Sequence, residues 1–385
     1  MLTIAGALSL LIWLYLHFFH GRFWRVGALL AYPSPTEVPP ARIAVIIPAR
    51  DEADVVGRCV ASLLEQNGDH SIHIFLVDDG SSDGTAEVAI ATAKSAGALE
   101  HLNVSQGLPL PPGWSGKLWA VEQGVKKARE LHPDFFLLTD ADIAHAPESV
   151  ATLAAIASTG PYGLASFMVK LHCRTFAERA LIPAFVFFFL KLYPPAWVSN
   201  PRCKMAGAAG GSILLRPEAL ERAGGIEAIR GEVIDDCALA RKVKESGGRV
   251  WLGLSAETRS IRPYGSFSEI GRMISRAAFN QLKHSALMLL LALVGLSVTY
   301  LLPSALLLFS HQWVPALLGA AAWILMTICF LPTLRFYRLN PLWALALPVI
   351  AVFYMGAAVY SAVKFWAGRG GEWKGRIQDP AGNRG

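Results

Sequence analysis

The chain has 385 residues, of which 53% are hydrophobic and only 17% are charged. Soluble domains carry about 25% charged residues, so this composition excludes an ordinary soluble enzyme, and the supply of apolar residues excludes intrinsic disorder. The net charge of +6 is too small and too dispersed to predict nucleic-acid binding, but it fits a protein resting on an anionic membrane surface.

The first predicted element is a membrane anchor. Residues 2–19 form an apolar run long enough for a spanning helix. A cleaved signal peptide is the alternative, but no Lys or Arg precedes the run. Because Arg22 and Arg25 follow it, the positive-inside rule places its C-terminal end in the cytosol. We therefore assign residues 1–25 to an N-terminal anchor.

Residues 42–283 form a predicted α/β domain, because short apolar runs alternate there with segments of helical periodicity. Strands are predicted at 43–47, 72–77, 102–104, 135–139 and 250–254. Helices are predicted over 84–96 and 117–131, and two more begin at Asp51 and after the pair Asp235 and Asp236. This alternation predicts a parallel, doubly wound sheet. In such sheets ligands bind beyond the C-terminal ends of the strands.

Acidic motifs follow three of these strands. They are PARDE at 48–52, DDGSSDGT at 78–85 and DAD at 140–142. Clustered carboxylates repel one another unless a cation lies among them. Asp140 and Asp142 project to the same side of an extended chain, so both can address one hard cation such as Mg²⁺ or Mn²⁺.

Each motif also has a purely structural interpretation. DDGSSDGT could be a strand-to-helix turn, with Gly80 at positive φ and Ser82 or Asp83 as the helix N-cap. Asp-x-Asp alone occurs by chance in many chains. The three motifs together, in order at successive strand ends, favour a functional site. A P-loop around Lys117 is excluded, because Pro111 replaces its first glycine and Leu118 its Ser or Thr.

The order VIIPARDE, VDDGSSDGT, GK-x-x-A, DAD and IDD closely resembles family 2 glycosyltransferases of the GT-A fold. The resemblance covers about residues 42–283. LPLPPGWSGK at 108–117, the LWAVEQG after it and MAGAAGGS at 205–212 are more particular. They are similar to the membrane-bound transferases associated with hopanoid biosynthesis and, more distantly, to ceramide and carotenoid glycosyltransferases.

This resemblance implies a donor that is a nucleotide-diphosphate sugar, with a UDP-sugar expected. The base and ribose would be held by Pro48, Ala49, Glu52, Asp78 and Asp79. Lys117 would lie near the nucleotide or its diphosphate, where an ammonium suits a phosphate. Asp140 would address the sugar or ribose. Asp142, with Asp140 beside it, would hold the divalent metal that bridges the diphosphate.

The resemblance also assigns the catalytic base to the second residue of the acidic pair, Asp236, with Asp235 as the other candidate. The structural alternative is a pair of acids at a helix N-terminus, favoured by the helix dipole. In an inverting transfer one base suffices. The base takes the acceptor's proton, while the leaving diphosphate needs charge neutralisation rather than a proton.

One departure from the family concerns processivity. Processive synthases carry a Gln-x-x-Arg-Trp motif after the base, whereas the comparable residues here are SRAAF at 275–279. This argues against a polysaccharide synthase. Arg272 and Arg276 remain candidates for diphosphate or acceptor contacts, as do Gly210 and Gly211 of the MAGAAGGS motif. For the two arginines, a place on an interfacial helix is the alternative.

Three apolar runs near the end, at 285–309, 313–331 and 341–366, are each long enough to span a membrane. Arg335 and Arg338 predict a cytosolic loop before the third. Three spans would, however, put Lys374 and Arg376 of the polar tail 367–385 on the far side, against the same rule. Either one run does not cross or the tail is an exception.

The apolar stretch 180–198 lies inside the predicted soluble domain and contains three prolines. These prolines predict breaks that make a full span unfavourable, since a lipid-exposed backbone must satisfy its own hydrogen bonds. We therefore expect an interfacial or re-entrant helix, with a buried core helix as the alternative.

The sequence as a whole predicts an inverting, metal-dependent glycosyltransferase that acts on a membrane lipid, and no nucleic-acid partner. The predicted location is the inner cell membrane, with several spans and the catalytic domain facing the cytoplasm. Five scattered cysteines without a C-x-x-C pair agree with a reducing compartment. The alternatives are a processive or polyprenyl-phosphate transferase and a non-catalytic nucleotide-sugar-binding scaffold.

Overall fold

The fold is described here from a computed structural model, which covers residues 1–30, 32, 39–373 and 376–379. Its centre is an eight-stranded sheet. In chain order the strands are β1 (Arg42–Ala49), β2 (Ser71–Asp78), β3 (Leu102–Gln106), β4 (Phe135–Leu138), β5 (Ile143–Ala144), β6 (Leu164–Lys170), β7 (Ile213–Leu215) and β8 (Val250–Ser260). Across the sheet they are ordered β3-β2-β1-β4-β7-β6-β8-β5.

The central strand β1 is buried from Ile43 to Ala49, as expected of a continuous apolar run inside a sheet. It pairs in parallel with β2, where Ile47 lies opposite Leu76, and with β4, where Ile46 lies opposite Leu138. The C-terminal ends of β1, β2 and β4 therefore meet at one edge. This confirms the sequence prediction that places the three acidic motifs together.

The sheet is mixed rather than purely parallel. β7 runs antiparallel to both β4 and β6, and β5 runs antiparallel to β8. The prediction of a mostly parallel sheet agrees with the four parallel pairs β1–β2, β1–β4, β2–β3 and β6–β8. The antiparallel β5 and β7 were not predicted, because they have only two and three residues, too short to give a sequence pattern. β8 also continues to Ser260, six residues beyond the predicted end.

The α-helices fall into two groups. Those of the α/β domain are α2 (Ala53–Leu64), α3 (Thr85–Ser95), α4 (Gly116–Ala128), α5 (Ser149–Thr159), α8 (Pro217–Arg222) and α9 (Asp235–Glu245). The others are α1 (Leu2–Phe18), α6 (Phe176–Leu192), α7 (Pro195–Val198), α10 (Phe267–Gln281), α11 (Ala286–Leu296), α12 (Leu302–Phe309), α13 (Trp313–Phe336) and α14 (Leu347–Trp366). Two apolar clusters pack against the sheet, and a third joins most of the second group of helices.

Helices α1, α12 and α13 form a bundle. Trp13 Nε1 donates to Thr299 O at 2.7 Å, and His17 Nδ1 lies 3.4 Å from Cys329 Sγ. At the other end of α1 a Cβ on Gly6 would lie 3.1 Å from both Leu306 and Leu318. The contacts run in opposite directions along α1 and α12 and in the same direction along α1 and α13. The chain therefore passes three times through one bundle, with α12 antiparallel to α1 and α13 parallel to it.

Among the described residues, four helical segments are long and apolar enough to cross a membrane: Phe176–Val198, Ala286–Phe309, Trp313–Phe336 and Pro341–Trp366. Helix α1 is also apolar but is shorter than these, with 17 residues. The predicted break at Pro183 was wrong, since Pro183 lies inside α6, where close packing on the helical bundle outweighs the cost of proline. Pro194 and Pro195 do separate α6 from α7.

After α14 the chain forms an antiparallel hairpin of β9 (Gly370–Trp373) and β10 (Arg376–Asp379). This part of the predicted polar tail therefore has regular structure. Lys374, on which the topology conflict partly depended, lies outside the described residues.

Candidate active site

A cavity of about 680 Å³ lies at the edge where β1 and β4 end. Pro48 and Glu52 line it from the β1 side, and Asp140 and Asp142 follow β4. Lys117 from the start of α4 and Asp235 from the start of α9 complete this end of the wall. Residues predicted from four separate motifs are thus brought together in one cleft.

Lys117 connects two of the predicted carboxylates. Its Nζ lies 2.9 Å from Asp140 Oδ1 and 3.0 Å from Asp235 Oδ2. Ser115 caps α4 by accepting a hydrogen bond from Leu118 N, which fixes the start of the helix that carries Lys117. Burial favours the neutral amine, but the two carboxylates outweigh it and raise the pKa of Lys117. The lysine is therefore a permanent cation in the cleft.

A second cation, Arg262, holds the other pair of carboxylates. Its Nε donates to Asp142 Oδ2 at 3.2 Å, and its Nη2 donates to Glu52. Ser260 Oγ also donates to Asp142 Oδ2, at 3.1 Å. Although burial lowers the pKa of Arg262, the two carboxylates raise it overall. Arg262 thus joins the end of β8 to the ends of β4 and β1.

The carboxylate of Asp236 is held by two backbone amides. Gly210 N donates to Oδ2 at 2.8 Å and Cys237 N donates to Oδ1 at 2.7 Å. Burial and the neighbouring Asp235 raise the pKa of Asp236 to about 6, against the lowering effects of Lys117 and the two amides. A carboxylate with this pKa is ionised at neutral pH yet is a stronger base than an ordinary aspartate.

The two predicted glycines have different surroundings. A Cβ on Gly210 would lie 3.6 Å from both Asp236 Oδ2 and Lys117 Nζ and 3.7 Å from Asp140 Oδ2, so Gly210 faces the centre of the charged groups. A Cβ on Gly211 would instead press on apolar side chains, at 3.0 Å from Val169. Gly210 therefore belongs to the site, and Gly211 to the packing beneath it.

The DDGSSDGT loop is largely satisfied within itself. Asp78 is buried and accepts from Ser81 N and Oγ, and Asp79 is buried beside Arg50, whose Nη1 lies 3.4 Å from its Oδ2. Neither carboxylate lines the cavity that holds Asp140. The structure therefore gives both aspartates a structural role at the β2 end, and their contacts with a nucleoside stay a prediction.

The turn in this loop differs in one detail from the expected one. Gly80 has a φ of +73°, as predicted, but the N-cap of α3 is Gly84 rather than Ser82 or Asp83. Asp83 instead accepts from Ala53 N at 2.9 Å and from Thr85 N at 3.1 Å. Asp83 thus links the segment after β1 to the segment after β2. Ala49, the last residue of β1, is fully buried.

The opposite wall of the cleft carries cations. Arg272 and Arg276 of α10 line it, together with Lys364 of α14 and Arg369, which follows α14. Among the described residues, none of the four has an ion pair. The cleft is thus acidic at the strand ends and basic at the helical layer.

Sequence reasoning missed Arg262, Lys364 and Arg369. Arg262 lies two residues after β8, so a correct end for that strand would have marked it by the same rule that marked Asp140. Nothing in the local sequence pointed to Lys364 or Arg369, since their place depends on how α14 packs.

The donor atoms fit a divalent cation only in part. Within the described residues no group of three or more His, Cys, Asp or Glu side chains is arranged to hold a metal ion. Asp140 and Asp142 supply carboxylate oxygens, and Mg²⁺ commonly binds through one or two carboxylates plus substrate phosphates. At this end of the cleft five carboxylates, three after strands and two at the start of α9, face two cations, Lys117 and Arg262, so an anionic diphosphate needs added positive charge there.

The class of this protein follows from a family model. Residues 44–224 match the model of the family described as Glycosyl transferase family 2. The chain is thus a glycosyltransferase, which confirms the predicted enzyme class. The match covers less than half of the chain, so membership of family 2 and of the hopanoid-associated subgroup stays a prediction.

Solved structures are similar to this chain at low sequence identity, and the first shares its GT-A fold. The mannosyltransferase PcManGT from Pyrobaculum calidifontis, solved with GDP-Man and Mn²⁺, has a TM-score of 0.56 and 18% identity over 94% of this chain and 99% of its own. Glucosyl-3-phosphoglycerate synthase from Mycobacterium tuberculosis has a TM-score of 0.40 and 19% identity over 63% of this chain and 79% of its own. No curated protein matches the chain.

Proposed function

We propose that this enzyme transfers a sugar, with inversion, from a nucleotide-diphosphate sugar to a lipid at a membrane surface. The observation that carries the transfer is the position of Asp236, a carboxylate with a pKa of about 6. It lines a small pocket with Lys117, Asp140 and Asp235, and those three side chains also line the cleft. The GT-A fold supports a donor at this edge of the sheet. A UDP-sugar is the donor expected from the sequence resemblance.

In this proposal Asp236 is the base. The acceptor hydroxyl attacks the anomeric carbon in line, the bond from that carbon to the diphosphate breaks, and Asp236 takes the hydroxyl proton. The two amide donors from Gly210 and Cys237 hold the carboxylate in place for this transfer. Lys117 keeps the neighbouring negative charges balanced, and its ammonium is available to the diphosphate.

We further propose that Asp142, with Asp140, holds Mg²⁺ or Mn²⁺. When bound, this ion neutralises the charge that develops on the leaving diphosphate. Support comes from the carboxylate donors and from the excess of acidic over basic side chains at the strand ends. Arg262 now occupies Asp142 Oδ2, so the arginine must share or release this oxygen when a cation binds.

The lipid acceptor is supported by the shape and surroundings of the cleft. It extends from Asp140 to Lys364 and Arg369, and so reaches the apolar helical layer. A lipid whose tail lies in that layer can present its headgroup to Asp236. A hopanoid or related isoprenoid or sphingolipid acceptor follows from the sequence resemblance, and the cytoplasmic side of the inner membrane from the charges that flank α1.

A second candidate function is transfer to a polyprenyl phosphate. The four cations on the far wall, Arg272, Arg276, Lys364 and Arg369, favour it, because a phosphate-bearing acceptor would find counter-charges there. A phosphate oxygen needs no base to attack. The two candidates therefore differ in whether Asp236 is essential.

The test is to incubate the detergent-purified full chain and Mn²⁺ with a panel of nucleotide sugars and a membrane lipid extract, separated into neutral and phosphate-bearing fractions. Mass spectrometry then identifies the glycosylated lipid, with Asp236→Asn as the control enzyme. A product from the neutral fraction that the control does not form supports the main proposal. A product from the phosphate fraction that both enzymes form supports the second, and a glycosylated water-soluble acceptor in place of a lipid contradicts both.

A further inference from the structure

The three apolar segments after α10 begin and end on the same side of the helical layer. Helix α10, which precedes them, lines the cleft through Arg272 and Arg276. Arg369 and Gly370, which follow them, line the same cleft. A chain that leaves one side of a bilayer and returns to it crosses an even number of times, so at most two of the three segments cross.

Two of these segments form a hairpin through the bundle. The segment from Thr299 through α12 leads away from the α/β domain and α13 leads back, since α12 runs antiparallel to α1 and α13 runs parallel to it. The return is fixed by two hydrogen bonds to the domain. Lys170 Nζ donates to Phe336 O at 2.9 Å, and Leu171 N donates to Tyr337 Oη at 3.3 Å. The end of α13 is therefore on the domain side.

Helix α14 starts and ends on this same side. Near its start, the ring of Trp343 lies 5.6 Å from that of Phe176 at the beginning of α6. At its end, the ring of Phe365 stacks on His284, just after α10, with 4.0 Å between centroids. The 20 residues of α14 thus link two points of the domain-facing layer.

Between these points α14 runs alongside α10. Phe353 packs on Phe267, with 6.1 Å between ring centroids, and eight residues further on Ser361 Oγ accepts from Phe279 N at 3.1 Å. Tyr354 Oη also donates to Leu181 O of α6, at 2.9 Å. Helix α10 carries Arg272 and Arg276, both exposed, on its cleft face. A helix with exposed arginines on one face lies at a membrane surface, and α14 runs in the same direction as α10.

Among the described residues, one face of α14 is apolar and largely exposed. Val349, Val352, Val359, Val363 and Trp366 are 74%, 52%, 40%, 50% and 59% exposed. The opposite face holds the buried Ser361 against α10 and directs Lys364 to the cleft. A surface that is apolar on one side and basic at the cleft end matches the acyl chains and anionic headgroups of a lipid leaflet.

We propose that α14 lies in the plane of the membrane, with its valine face on the acyl chains of the leaflet next to the catalytic domain, and does not cross the bilayer. The C-terminal residues then share the side of the active site. This arrangement removes the conflict with the positive-inside rule, because Arg335, Arg338 and Arg376 all lie on the domain side. It rests on the membrane placement in the proposed function.

The test uses nitroxide labels on the full chain in liposomes, in a background without the five native cysteines. Labels at Val349→Cys, Gly356→Cys and Val363→Cys report the depth of α14, and Leu317→Cys, Ile324→Cys and Ile328→Cys on α13 are the matched controls. A crossing helix of 1.5 Å rise per residue separates Val349 and Val363 by about 21 Å in depth. We expect equal, shallow depths along α14 and a graded depth along α13.

A graded depth on α14 as on α13 overturns the inference and leaves the proposed function intact. If the α13 labels show no immersion at all, the membrane placement itself fails. A second measurement needs no cysteine replacement. An epitope after residue 385 and another inserted at His311 are digested by protease in vesicles of known orientation, and we expect opposite protection. Equal protection of the two epitopes contradicts an in-plane α14.

Discussion

Arg262 Nε donates to Asp142 Oδ2 at 3.2 Å, so an internal cation occupies the carboxylate that the sequence assigned to a metal ion. The same guanidinium also pairs with Glu52. Arg262 and a divalent cation therefore compete for Asp142. This competition leads to the first prediction.

Replacing Arg262 by Gln should tighten Mn²⁺ binding in the absence of nucleotide. The arginine is about one third exposed, and a partly exposed ion pair is worth about 1 kcal/mol, which corresponds to about a fivefold change in affinity. Titration followed by the electron paramagnetic resonance of free Mn²⁺ measures this. Arg129→Gln, which removes an exposed pair with Glu221 outside the cleft, is the control and should change nothing. Unchanged or weaker Mn²⁺ binding in Arg262→Gln would show that Asp142 is not the ligand.

Asp236→Asn should separate chemistry from binding. The amide keeps the shape of the side chain but cannot take a proton near neutral pH, so single-turnover transfer should fall about 10²–10⁴-fold. The affinity for nucleotide with Mn²⁺ should stay near that of the wild type. Asp142→Asn is the matched variant and should weaken Mn²⁺-dependent nucleotide binding as well as the rate. Wild-type turnover in Asp236→Asn would move the base elsewhere, with Asp235 the first candidate.

The pH dependence of kcat/KM should carry the signature of Asp236. Its pKa of about 6 means that the base is protonated below that pH, so kcat/KM should fall about tenfold per pH unit as the pH drops below 6. The charge of Asp235 raises this pKa, so Asp235→Asn should shift the inflection to lower pH. If the decrease of kcat/KM below pH 6 is lost in Asp235→Asn but kept in Asp236→Asn, then Asp235 and not Asp236 is the base.

The substitutions Gly210→Ala and Gly211→Ala should impair the enzyme for different reasons. The new methyl group at Gly210 finds ordinary contact distances, but it sits among Asp236, Lys117 and Asp140, so folding should persist while transfer is lost. At Gly211 the methyl group lies 3.0 Å from Val169 and 3.2 Å from Ile143. This overpacking should cost about 1–3 kcal/mol of stability.

Thermal unfolding and single-turnover transfer, measured on both glycine variants, separate these effects. We expect a lowered Tm only for Gly211→Ala, and a nearly normal Tm with little activity for Gly210→Ala. Equal losses of stability in the two variants would mean that Gly210 is a packing residue and not part of the site.

The sequence by itself determined the central strands and the order of the motifs, because both depend on local patterns. The apolar runs at 43–47 and 135–139 predict buried strands, and polar residues follow them directly, so the rule for strand ends located Glu52, Asp140 and Asp142 in one cleft. Lys117 was placed there by the resemblance alone. The resemblance to a family then supplied the class of enzyme.

Only the tertiary structure decided which charges meet. Arg262 pairs with Glu52 from 210 residues away in the chain, and no local pattern records such a contact. The antiparallel β7 has three residues and takes its direction from β4 and β6 on either side. Helix α14 is as apolar as α13, so hydropathy alone cannot show whether the two helices are placed alike. Its packing along α10 places its end at the cleft, because the position of a helix depends on its neighbours as well as on its composition.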